Sequence, residues 1–213
     1  MSRNVWLPGF ACESWIWREL VLAHDPDGIF VDWPEDRAGG IATRGALASW
    51  AIREYLSGEP DLVLIGHSMG GVASVDIAQV LGARVKQVVL VESFLTSPGP
   101  FFQNLLMEST PTALRRRAVD MLQRGKQKAS PALRESLQKL DYTEKALHLH
   151  CRCSAVYGDR GFPDRAAVVA ALNWPPELLD RIPIQTVPNS CHFPMLENPQ
   201  AVLQFLRDVA VIV

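Results

Sequence analysis

The chain has no long apolar run, no excess of one charge and no repetitive or linker-like segment. A bilayer span needs roughly 18–20 consecutive apolar residues, and no stretch of this sequence approaches that. A formal net charge of −2 gives no basic field to attract nucleic acid or anionic lipid. The expected partner is therefore a small-molecule substrate, not nucleic acid or membrane; an oligomeric partner is not indicated either way. The N-terminal "MSRNVWLPGF" holds one arginine and a short strand-like run stopped by Pro8 and Gly9, too short for the apolar core of a signal peptide, so the expected location is the cytoplasm. Cysteine is scarce: Cys12, Cys151, Cys153 and Cys191, in a chain without an export signal, read as thiols. The tract "HLHCRC", His148 to Cys153, matches no usual zinc spacing, and Cys151, Cys153, Ala155 and Tyr157 alternate as one face of a strand would. Neither a metal nor an organic cofactor is called for.

What is present fits a globular domain. Hydrophobic residues make up 48% and charged residues 21% of 213 residues, which excludes disorder and is enough for one sizeable core. Short β-rich runs recur at Asn4–Leu7, Ile29–Trp33, Leu62–Ile65, Gln87–Val91, Ser154–Tyr157 and Ile184–Val187. Helical patterns separate them at Trp15–Ala23, Thr43–Leu56, Gly70–Leu81 and Ala166–Ala171, with a last helix at Gln200–Ala210 behind Asn198 and Pro199. This alternation predicts a parallel sheet covered on both faces. From Phe94 to His150 no convincing strand appears, which marks a helical insertion. Its "RRR" run, Arg115 to Arg117, reads as a solvated helix face; its apolar Phe101, Phe102, Leu105, Leu106 and Met107 suit either packing or a pocket lining.

The densest chemical signal is "DLVLIGHSMGGVAS", Asp61 to Ser74. Gly66-x-Ser68-x-Gly70 follows a buried strand and opens a helix, the context that makes a G-x-S-x-G pattern informative. A sharp strand-to-helix turn would hold Ser68 strained and project its hydroxyl above the sheet. Gly66 and Gly70 are required where a Cβ would strike neighbouring backbone. A serine needs a base, and the chain offers five histidines. His192 lies in the loop between the last strand and the last helix, at the sheet edge where catalytic groups gather; His67, adjacent to the serine on a tight turn, points away. For the acid, Asp159 in "YGDRG" is preferred on the order Ser…Asp…His. Glu92, ending the strand next to the serine's own, is its rival, and Asp164 ranks third. The backbone N–H groups of Met69 and Phe10 are the candidate oxyanion donors, and Phe101, Phe102 and Leu105 the candidate substrate-binding residues.

Together "LPGFACESWIW", "GHSMGG", "YGDRG" and "CHFPMLENP" resemble the oxyanion loop, nucleophile elbow, acid turn and histidine loop of the α/β-hydrolase superfamily. The resemblance covers nearly the whole chain. It implies a trimmed α/β fold: one domain, residues 1–213, starting at the equivalent of the family's third strand. Such a fold has about six mainly parallel strands flanked by helices, with residues 94–150 as a small helical lid. It also implies a serine hydrolase of the carboxylesterase or thioesterase kind, working through an acyl-enzyme on Ser68. Relatives include C–C hydrolases, lyases and synthases that use the same triad, and a non-catalytic ligand receptor is a further alternative. Two departures stand out: Pro8 replaces the usual histidine before the loop glycine, and "VDWPEDRAGG" replaces an Asp-x-Pro-Gly-x-Gly turn.

Overall fold

The computed structural model describes residues 2–34, 43–97, 99–128 and 130–213; most of the departure at "VDWPEDRAGG" lies outside them. Six strands form one sheet: β1 (Arg3–Leu7), β2 (Ile29–Phe30), β3 (Leu62–His67), β4 (Val85–Val91), β5 (Arg152–Gly158) and β6 (Ile184–Val187). Their spatial order is β2-β1-β3-β4-β5-β6, and every pairing is parallel. The apolar runs explain this arrangement, because a parallel sheet is buried on both faces and its strands need not alternate. All six residues of β3 are buried.

Helices cover both faces. Strand residues Val5, Leu7, Leu62 and Leu64 point into one core with α2 (Arg44–Tyr55) and α3 (Met69–Leu81). Trp6, Val63 and Ile65 point into the other, with α1 (Trp15–Val21) and the C-terminal helix Pro199–Asp208. Cys153, Ala155 and Tyr157 share the first core while Val156 belongs to the second, the alternation read from that strand's sequence. The run Ile29–Trp33 is paired for less of its length than expected: Asp32 turns its carboxylate to the N–H and hydroxyl of Ser14 at 2.7 and 2.8 Å, bracing the start of α1. Asn198 accepts from Ala201 N at the start of the C-terminal helix, the cap its sequence suggests.

Residues 94–150 carry a single 3-10 turn at Pro100–Phe102, then α4 (Thr112–Lys128), α5 (Pro131–Gln138) and α6 (Thr143–Leu147). A lone bridge between Thr96 and Asp141 ties the ends of this excursion together. Beyond it come α7 (Arg165–Leu172), α8 (Pro176–Arg181), α9 (Pro194–Glu197) and α10 (Pro199–Asp208). The short α8 and α9 are too brief to leave a helical period in the sequence. The arginine run is not simply a solvated face. Arg117 forks onto Glu19 with its guanidinium 3.7 Å from the Trp15 ring centre, Arg115 donates to the Met107 carbonyl, and Arg124 pairs with Glu13 at 3.0 Å. The Arg117 and Arg124 contacts fasten α4 to α1 and the residue before its cap. Among the described residues no helix is long and apolar enough to cross a membrane.

Candidate active site

Ser68 sits between β3 and α3 with φ 53° and ψ −119°, a backbone conformation that costs a non-glycine residue of order 1–3 kcal/mol. The surroundings enforce it. The Ser68 N–H donates to the Val91 carbonyl at 2.9 Å and its carbonyl accepts from Gly71 at 3.0 Å. A Cβ at Gly66 would lie 2.4 Å from the Gly70 carbonyl oxygen, and one at Gly70 would lie 2.3 Å from that of Leu7. The elbow therefore closes only if both positions lack a side chain. Ser74 has a different use: its hydroxyl is buried and donates to the Gly70 carbonyl at 2.8 Å.

His192 is held from three sides. Its N–H donates to the Leu105 carbonyl at 3.1 Å, its carbonyl lies 2.8 Å from His67 Nε2, and Phe102 meets its ring edge-on at 6.2 Å. A carbonyl only accepts, so His67 carries its proton on Nε2. Its Nδ1 is then a buried acceptor without a partner among the described residues. Burial, reinforced by the charge of neighbouring His192, brings the His67 pKa down to about 3. His67 is a neutral brace for the histidine loop.

The imidazole's carboxylate partner is Glu92. Its Oε2 lies 3.2 Å from His192 Nδ1; the carboxylate accepts, so Nδ1 carries the proton and Nε2 presents its lone pair. Glu92 is fully buried, has φ 53° and directly follows β4, the strand beside the one that leads into Ser68. Its carboxylate also accepts from Gly158 N at 2.5 Å and from both terminal nitrogens of Arg160, Nη1 at 2.8 Å. Burial alone would raise the Glu92 pKa, but the hydrogen bonds and charges of Arg160 and His192 outweigh it and hold the group below its ordinary value.

Asp159, preferred on motif order, makes no hydrogen bond to His192 among the described residues. Its Oδ1 accepts from Gly161 N at 3.2 Å and its Oδ2 from Asn189 N at 3.0 Å, so the carboxylate is committed to shaping its own turn. Asp164 caps α7 through Ala167 N. Sequence reasoning also missed Arg160, one residue from the preferred acid, and Glu197. Glu197 Oε1 accepts from Met107 N and the Thr110 hydroxyl, each at 2.6 Å, and its Oε2 from Cys191 N at 2.7 Å. That side chain straps the excursion to the histidine loop.

The two oxyanion candidates, Phe10 and Met69, flank the serine turn. A Cβ at Gly9 would be 3.1 Å from that of Ser68, so the loop after β1 lies directly against the elbow. The N–H groups of Phe10 and Met69 donate to no other group among the described residues. Of the candidate substrate-binding residues, Phe102 faces His192 and Leu105 holds its backbone, while Phe101 is buried with the Arg160 guanidinium 3.8 Å from its ring centre. Burial raises the thiol of Cys12 to about 12 and that of Cys191 to about 11, which makes both poor nucleophiles at neutral pH.

An all-parallel sheet with a strained serine turn at the end of a central strand and a histidine loop after the last strand defines a class, and family comparison agrees. The sequence profile of the Alpha/beta hydrolase family matches residues 5–205, and the chain belongs to that family. No curated protein matches the chain. Among solved structures, it is similar to a thermophilic esterase from Thermogutta terrifontis, 19% identical, with a TM-score of 0.68 over 99% of this chain and 89% of the other. It is similar also to MenH from S. aureus, 14% identical, TM-score 0.72, over 97% and 94% of the two chains. An esterase from Exiguobacterium antarcticum is 12% identical, with a TM-score of 0.73 over 98% and 91%. At these identities the likeness concerns the fold.

Proposed function

We propose that the protein is a serine hydrolase that cleaves an ester or thioester of a small molecule, with Ser68, His192 and Glu92 as its triad. The observation that carries this reading is the hydrogen bond from His192 Nδ1 to buried Glu92, beside a serine held at positive φ. His192 Nε2 takes the Ser68 proton as Oγ attacks the substrate carbonyl carbon. The tetrahedral oxyanion is received by the Phe10 and Met69 N–H groups, the latter at the positive end of α3. Collapse expels the alkoxide or thiolate, which takes the proton back from His192. Water, deprotonated by the same imidazole, then releases the acid from the acyl-enzyme. Residues 94–150 serve as the lid of this site, with Phe102 and Leu105 beside the histidine and Phe101 packed behind.

The test is covalent labelling with a fluorophosphonate, followed by turnover of p-nitrophenyl esters of increasing chain length. Ser68→Ala is expected to abolish both, and Ser74→Ala to remain labelled. Unimpaired turnover by Ser68→Ala would falsify the reading. Labelling at Ser68 with no turnover of any ester or thioester would move the assignment to C–C hydrolase, lyase or synthase chemistry on the same serine, and ligand binding with neither would indicate a receptor.

A further inference from the structure

Besides the His192 contact, Glu92 receives both arms of a buried guanidinium. The Arg160 side chain is 3% exposed and that of Glu92 is 0% exposed. Nη1 reaches Oε1 at 2.8 Å and the Gly158 carbonyl at 3.0 Å, while Nη2 reaches Oε2, the oxygen that faces His192. The guanidinium is sandwiched from outside by Phe101, whose ring centre is 3.8 Å away, and Phe101 stacks in turn on Phe162. The backbone beneath is specialised for this reach. Arg160 has φ 51°, and its N–H donates to the Ser190 carbonyl at 2.9 Å. The turn around it is fixed by the two Asp159 hydrogen bonds to Gly161 and Asn189.

We infer that Arg160 is a positioning residue for the reaction: it fixes the rotamer of Glu92, and through Glu92 the ring of His192. The inference rests on the triad proposed above. A carboxylate at the end of a three-bond side chain has rotational freedom that a single histidine contact does not remove, and a planar fork that engages both oxygens does. Asp159 thereby acquires a role at one remove, since it holds the turn from which Arg160 extends. Phe101 closes the outer side, which keeps water from competing for the carboxylate. The chain runs from a surface turn to the base in three steps: Asp159 shapes the loop, Arg160 grips Glu92, and Glu92 orients His192.

The experiment measures the rate of fluorophosphonate attack at Ser68, resolved into reversible affinity (KI) and inactivation rate (kinact), so that no natural substrate is needed. Arg160→Lys, Arg160→Met and Glu92→Gln are compared with the unaltered protein, with thermal melting recorded for each. Misplacing a catalytic group by about 1 Å costs on the order of 100-fold. Arg160→Lys, which keeps the charge and loses the fork, should therefore lower kinact about 10–100-fold with KI nearly unchanged. Arg160→Met should fall at least as far, and added guanidinium at millimolar concentration should restore part of its rate. An unchanged kinact in Arg160→Lys overturns the inference, whether or not Arg160→Met folds. A full rate in Glu92→Gln overturns the triad instead, so the two failures are distinguishable.

Discussion

Two neighbouring strand ends present a carboxylate, and the structure uses them in different ways. At the end of β4, Glu92 is wholly buried, at positive φ, and filled by four hydrogen bonds that include the histidine. At the end of β5, Asp159 is partly exposed and spends both oxygens on backbone N–H groups of its own turn and the next loop. The order of residues along the chain favours Asp159; the lateral order of the strands favours Glu92, because β4 lies against the serine's own strand. The position that motif order assigns to the acid is occupied by the residue that braces the arginine.

The sharpest way to break this comparison is to remove one carboxylate charge at a time. Glu92→Gln is expected to lower turnover on the order of 10⁴-fold, the loss seen when a triad acid can no longer hold its histidine's tautomer. Asp159→Asn should retain activity within about 10-fold while losing about 1 kcal/mol of stability for one weakened turn contact. Steady-state kinetics and chemical denaturation of the two proteins decide the matter, and a reversed ranking would restore Asp159 as the acid.

The buried side of the comparison should also be the acid-sensitive one. The Glu92 pKa is lowered from 4.5, so its contribution to stability is present above about pH 4.5 and is lost as the pH falls through its folded value. The His67 pKa is lowered from 6.5 to about 3. Below pH 6.5 the unfolded chain binds a proton that the folded chain refuses, and stability declines toward pH 3 by about 1.4 kcal/mol per pH unit. Urea unfolding at pH 7 and pH 5 should show His67→Gln losing less stability on acidification than the unaltered protein; equal losses would mean that His67 is charged when folded.

The smallest expected effect on activity concerns the strap at Glu197. Glu197→Gln keeps the shape but replaces one acceptor oxygen with a donor group, so it cannot satisfy Met107 N, the Thr110 hydroxyl and Cys191 N together. A loss of about 1–2 kcal/mol with only a few-fold lower kcat is expected, together with faster proteolysis within residues 105–110. Unaltered proteolysis would show that the strap does not restrain the excursion.

The fold was largely legible because its strands are apolar runs broken by helical periods, a pattern that requires no tertiary knowledge. The elbow was legible for a related reason: its glycines answer a local backbone collision. Ser68 and His192 could each be singled out as candidates from their own surroundings. The carboxylate beside the histidine could not, because choosing between Glu92 and Asp159 depends on which carboxylate is free once turn hydrogen bonds are counted. Arg160 left no signal, since a long side chain reaching back over a sheet edge has no sequence period. The arginines of α4 show the same limit, as an exposed-looking run proved to reach Glu19 and Trp15 on a helix about 100 residues earlier.

The taper of the sheet has a consequence for how the protein behaves in a crowd. An open parallel sheet presents two unpaired edges, and long flat edges invite other chains to add strands. Here the central strands run six and seven residues, whereas the two outermost, β2 and β6, are two and four residues long. Among the described residues pairing tapers away from β3 in both directions, so the hydrogen-bonding potential left at the outer strands is slight. An open six-stranded sheet could have been a template for aggregation; short outer strands leave little for a second molecule to extend.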